Sequence, residues 1–136
     1  MNSITLLNLG FCEWKSLENA IKSAPENKGV YAFRSSTSIP LTIGLSDIIY
    51  IGRAQSDSKG SHTIKHSLRE YKHPGHSQKT KIRVGQKALA ERWQVSWMLA
   101  DAPKQMECDL LQRFVCEHGE KPPENKSMPK QYSPEQ

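Results

Sequence analysis

Cysteine is scarce in this chain, and the three present, Cys12, Cys108 and Cys116, are odd in number and form no C-x-x-C pair. A disulfide-stapled secreted scaffold is therefore excluded, and a reduced, cytoplasmic protein is the expectation. Cys108, Cys116 and His118 lack both the spacing and the fourth ligand of a structural zinc site. No apolar run approaches the roughly 20 residues that span a bilayer. The start, Met1 to Trp14, has an apolar Ile4-Thr5-Leu6-Leu7 stretch but no basic flank, and Asn8 and Gly10 interrupt it, so it does not read as a signal peptide. Aromatic residues are 7% and hydrophobic residues 36% of the chain, with a mean hydropathy of -0.67. That supply supports one small core rather than two, and 136 residues is the length of a single domain.

Acidic residues are nearly missing from one segment. Between Lys65 and Arg92, eight basic residues (Lys65, Arg69, Lys72, Lys79, Lys81, Arg83, Lys87 and Arg92) face only Glu70 and Glu91, a net +6 in a chain whose total is +5. Such a concentration is the footprint of a polyanion-binding surface, with an ordinary solvated face as the competing reading. Lys72, Lys79, Lys81, Arg83 and Lys87 are the candidate nucleic-acid contacts.

Periodicity and punctuation give an outline. Glu13 to Ser23 reads as a short amphipathic helix carrying Trp14, Leu17, Ala20 and Ile21. Gly29 to Phe33 is a first strand, Ser35 to Ser46 a polar connection, and Asp47 to Arg53 a second strand, apolar on both faces and hence central. After a loop around Asp57 to Gly60, a helix is predicted from about Ser61 to His73, ending at Pro74-Gly75. Ser77 to Gly85 reads as a basic loop and Gln86 to Arg92 as a short helix. Trp93 to Leu99 alternates like a half-buried third strand. Pro103 opens a last helix that reaches His118 and stops at Gly119. The tail holds Pro122, Pro123, Pro129 and Pro134 and reads as extended, flexible from 126 to 136. The order implies an α+β fold, a small sheet with helices packed on it.

Two strands share an odd feature. Gly29-Val30-Tyr31 opens the first and Tyr50-Ile51-Gly52 closes the second, followed by Arg53. Tyrosine suits a strand, whereas glycine weakens one unless a backbone or ligand must come close there. This pair of tripeptides resembles the signature of the GIY-YIG nucleases, with valine in place of isoleucine. The resemblance extends over about residues 29–125. It implies a three-stranded antiparallel sheet flanked by helices, with the leading helix as an addition.

The helices carry the remaining elements. At about 100° per residue, Ile64, Leu68 and Tyr71 form a buried stripe on the third helix, while His62, His66, Arg69 and His73 form a band opposite. Arg69 and His73, one turn apart, can face one phosphate, although a merely exposed band has the same pattern. On the last helix, Glu107 falls within the apolar stripe of Leu110, Leu111 and Phe114. A carboxylate there must neutralise, pair or hold a metal, unless it is only a fringe acid at the helix start.

Arg69, His73, Glu107 and Asn125 each match a position of the family's pattern, whereas His62 and His66 match none. The resemblance implies that Glu107 binds a single divalent ion, Mg²⁺ or Mn²⁺, with Asn125 near it and Arg69 stabilising the phosphoryl group. It makes Tyr31 the favoured general base, with Tyr50 assisting, Arg53 lowering the phenol pKa and His73 relaying the proton. Strand alternation leaves open which tyrosine faces the phosphate. The expected activity is metal-dependent DNA endonuclease cleavage, with a homodimer as one way to cut both strands. A non-catalytic nucleic-acid-binding module on the same fold is the alternative.

Overall fold

The computed structural model describes residues 1–55 and 62–128. The expected loop at Asp57 to Gly60 and most of the flexible tail lie outside the described residues. Helix α1, Ser3–Leu9, starts where the Asn2 side chain accepts from the Thr5 amide while the Thr5 hydroxyl takes the Asn2 amide, a reciprocal cap. Ser3 donates through its amide and hydroxyl to the Asp47 carboxylate at 2.8 and 2.6 Å, which fastens α1 to the sheet. The predicted helix from Glu13 is shorter than expected. Lys15–Ser16 pair as a two-residue strand, β1, and helix α2 covers only Leu17–Ser23, because the Ser16 hydroxyl caps it at Asn19.

Strands β2 (Gly29–Pro40), β3 (Leu45–Ala54) and β4 (Gln94–Leu99) join β1 in an antiparallel sheet of order β1-β4-β2-β3. Among the described residues the fold is thus α+β as expected, but with four strands rather than three. The polar segment after Phe33 is not a free connection, since β2 runs on to Pro40 opposite Leu45. β2 is an interior strand, between β4 and β3, and its first five residues are all buried. β3, read as central from its apolar sequence, lies at the edge. Its outer backbone is closed by the chain after α5. The Glu124 amide donates to Ile49 O at 3.0 Å, and the Asn125 side chain both accepts from the Ile51 amide (3.0 Å) and donates to its carbonyl (2.9 Å). An edge strand with apolar residues on both faces persists because its unpaired groups are covered in this way.

Helix α3 is Ile64–Lys72, and α4 is one continuous helix, Lys79–Ala90, where a basic loop and a short helix were expected. The apolar positions Val84 and Ala88 on α4 are buried, and Gly85 lies against α3. This packing outweighs the poor helix propensity of glycine. Helix α5, Pro103–His118, begins with the expected proline and stops at Gly119, whose φ of 75° is the left-handed conformation that glycine adopts without strain.

Helices α2, α3 and α4 cover one face of the sheet over Tyr31, Phe33, Ile49, Val95 and Trp97. α1 and α5 cover the other over Val30, Ala32, Ile48 and Ile51. Along β3, Phe33 pairs with Tyr50 but Arg34 with Ile48, so Ile49 is an extra residue in a bulge. The bulge puts Ile49 and Tyr50 on the same face, which strict alternation does not allow. Among the described residues no helix is long and apolar enough to cross a membrane.

Candidate active site

The glycines of the two tripeptides have packing reasons. Gly52 pairs directly with Tyr31, and a Cβ there would meet the tyrosine ring at 2.8 Å. A Cβ on Gly29 would run into the Met98 carbonyl oxygen. The expectation of a close approach at both positions therefore holds, although what approaches is the protein's own ring and backbone.

Tyr31 is 2% exposed, and its hydroxyl shares a 2.8 Å hydrogen bond with that of Tyr71 on α3. The Tyr71 ring also stands edge-on to Phe33 and to Tyr50, with centroids 4.9 and 6.4 Å away. The three phenols thus form one group between the sheet and α3. Sequence reading had Tyr71 only as a member of the apolar stripe. A polar hydroxyl on a stripe that faces the core needs a partner, and that was the available signal.

Burial pushes the Tyr31 and Tyr71 phenols well above the ordinary value, and Tyr50 upward as well. The nearby Arg83 and Arg53 charges act in the opposite sense on Tyr50 but do not prevail. The depressed phenol pKa expected from Arg53 is thus corrected. At neutral pH these groups are hydrogen-bond donors, not phenolates.

Glu107 is 8% exposed, in line with Leu110, Leu111 and Phe114, which are also buried, as the stripe required. Arg53 extends from the end of β3 and donates through Nη1 to Glu107 Oε1 at 2.7 Å. Burial raises the Glu107 pKa, and the bond and charge of Arg53 recover only part of that cost. A cavity of about 330 Å³ opens beside this pair, lined by Tyr50, Arg53, Thr80, Glu107, Leu111, Asn125, Lys126 and Ser127. Of the two motif tyrosines, Tyr50 lines the cavity and Tyr31 does not.

Asn125 borders the cavity, yet both ends of its amide are engaged by the Ile51 backbone, so its role here is to close the sheet edge. Arg69 and His73 are not among the lining residues, and both are exposed. The reason is the docking of α3. Ile64, Ser67, Leu68 and Tyr71 face the sheet, which turns the opposite band of the helix outward.

The basic segment is less free than its sequence count. Arg83 and Lys87 reach the Glu124 carboxylate at 2.8 and 2.9 Å, Lys81 pairs with Glu70, and Lys72 stands 3.7 Å from Glu18. Glu124 and Glu18 come from outside the counted segment. Lys79 is exposed on the first turn of α4 and has no ion pair among the described residues.

No protein-family model matches the chain, and no curated protein or solved structure matches it.

One carboxylate, with water and substrate oxygens completing the shell, is a donor set that suits Mg²⁺ or Mn²⁺. Glu107 fits such an ion. Arg53 engages Oε1, and no ion pair among the described residues engages Oε2.

Proposed function

We propose that the chain is a divalent-metal-dependent phosphodiester hydrolase acting on DNA, built on the plan of the GIY-YIG nucleases that its sequence resembles. The observation that carries this reading is the buried Glu107 carboxylate, held by Arg53 at a cavity that Tyr50 also lines. A divalent ion held by Glu107 would supply Lewis acidity to the phosphoryl group. Arg53 fixes the carboxylate and presents the rest of its guanidinium to the substrate, so it takes the charge-stabilising part first expected of Arg69. Tyr50, neutral at pH 7, donates to a phosphate oxygen or orients the attacking water. Tyr71 and Tyr31 support it from within the core, and the favoured tyrosine is therefore Tyr50 rather than Tyr31. Thr80 and Lys126, which line the cavity, provide further contacts to the nucleic-acid backbone, and a homodimer would bring two such cavities to a duplex.

The non-catalytic reading keeps one observation in its favour: Arg69 and His73 lie away from the cavity. Incubation of supercoiled and single-stranded DNA with the protein, with and without Mg²⁺ or Mn²⁺, separates the two. Cleavage that needs the ion and is lost in Glu107→Gln supports the nuclease. Binding without cleavage under every ion condition supports the binding module. Cleavage by Glu107→Gln at the parent's rate overturns the assignment of this site.

A further inference from the structure

A second cluster of donors lies on α3, outside the cavity of Glu107. His62, His66 and Glu70 recur every four residues, the spacing that stacks side chains along one helical face. His62 precedes the Thr63 cap, yet its ring stands edge-on to that of His66, with centroids 5.5 Å apart at 82°. His66 Nε2 is 3.7 Å from Glu70 Oε2. One donor atom from each of the three residues falls within 4.8 Å of the others.

We propose that His62, His66 and Glu70 form a binding site for a transition-metal ion of the Zn²⁺, Co²⁺ or Ni²⁺ type. Two imidazoles and one carboxylate are a borderline-soft donor set that leaves a fourth position open, whereas Mg²⁺ prefers oxygen alone. Bonds of about 2.0–2.2 Å to a tetrahedral ion put its ligand atoms roughly 3.3–3.6 Å apart. The three donors therefore close by about an ångström, which rotation of the exposed His62 ring can supply. Glu70 is already oriented: Gln78 Nε2 donates to its Oε2 at 2.7 Å, and Lys81 binds its Oε1. Such outer partners fix a ligating carboxylate in place. The open position would accept water or an anionic oxygen. This site does not rest on the nuclease reading and shares no residue with it.

The test is calorimetric titration of the purified chain with Zn²⁺, paired with Co²⁺ titration followed by visible absorption. The parent should take up one ion at this site. His62→Ala, His66→Ala and Glu70→Gln should each weaken uptake by at least about tenfold, since loss of even an outer-shell partner costs 10–100-fold. Glu107→Gln should keep uptake at the α3 site, because Glu107 lies outside the cluster, whatever it loses at its own carboxylate. His62 is exposed, so His62→Ala leaves the fold intact and keeps the result readable even if Glu70→Gln disturbs α3. No Zn²⁺ uptake by the parent overturns the proposal. So does parent-like affinity in His62→Ala or Glu70→Gln, or loss of uptake at the α3 site in Glu107→Gln.

Discussion

Gly52→Ala tests why a glycine stands at a buried position of β3 beside the site. The added methyl would lie 2.8 Å from Cζ and Oη of Tyr31 and 2.9 Å from Cε1, against an ordinary contact of 3.4–4 Å. The ring has little room to retreat. It is 2% exposed, edge-on to Phe33 and Tyr71, and tied to Tyr71 by a 2.8 Å hydrogen bond. Overpacking of this kind costs about 1–3 kcal/mol, and weakening the hydrogen bond adds about 1. Replacing glycine returns about 0.4–1 kcal/mol through the unfolded chain, so the clash wins. A net loss of about 1–3 kcal/mol should appear in urea unfolding as a lower midpoint with an unchanged slope. In a Tyr31→Val background the ring atoms that clash are gone. There Gly52→Ala should be neutral or mildly stabilising, giving a coupling energy of about 1–3 kcal/mol. Equal losses in both backgrounds, or no loss in the parent, would refute the packing account of this glycine.

Asn125→Ala should cost about 1–3 kcal/mol, because it strips both partners from the buried Ile51 peptide at the sheet edge, and hydrogen exchange should show the Ile51 amide losing protection. Gly85→Ala offers about 1 kcal/mol of helix propensity, but its methyl would run into the Tyr71 carbonyl oxygen. Two backbones must part, so thermal unfolding should show a lower Tm despite the better helix former. Glu107→Gln keeps an acceptor for Arg53 and removes the burial penalty on the charge. Because the folded pKa of Glu107 is raised, its contribution to stability is fully present below the unfolded value of about 4.3 and is lost as pH rises through the folded pKa. The glutamine variant should therefore match the parent in acid and exceed it at pH 7 in denaturant midpoint. A variant less stable than the parent at pH 7 would mean that the Arg53 pair outweighs desolvation.

The sequence by itself determined the parts whose causes are local. Pro103 and Gly119 bound α5 through fixed backbone preferences, and the Leu110, Leu111 and Phe114 stripe carried Glu107 inward because helical period alone decides which side chains share a face. The same period divided α3 into a buried stripe and an opposite band, and both lie where it put them. What that band faces is a matter of docking, and only the tertiary structure turned Arg69 and His73 away from the cavity. Strand order was equally illegible. The apolar run of Asp47 to Arg53 fits a central strand or a covered edge, and the cover comes from Glu124 and Asn125, more than seventy residues on. The bulge at Ile49 depends on pairing between two strands, so no reading of β3 alone assigns Tyr50 to its face. Charge followed the same rule: Arg83 and Lys87 are basic in sequence, but Glu124 is brought to them only by the fold. Local sterics and periodicity act within a few residues and can be read from the chain. Which surfaces meet is fixed by burial summed over the whole molecule, and that decided which of the candidate residues share a site.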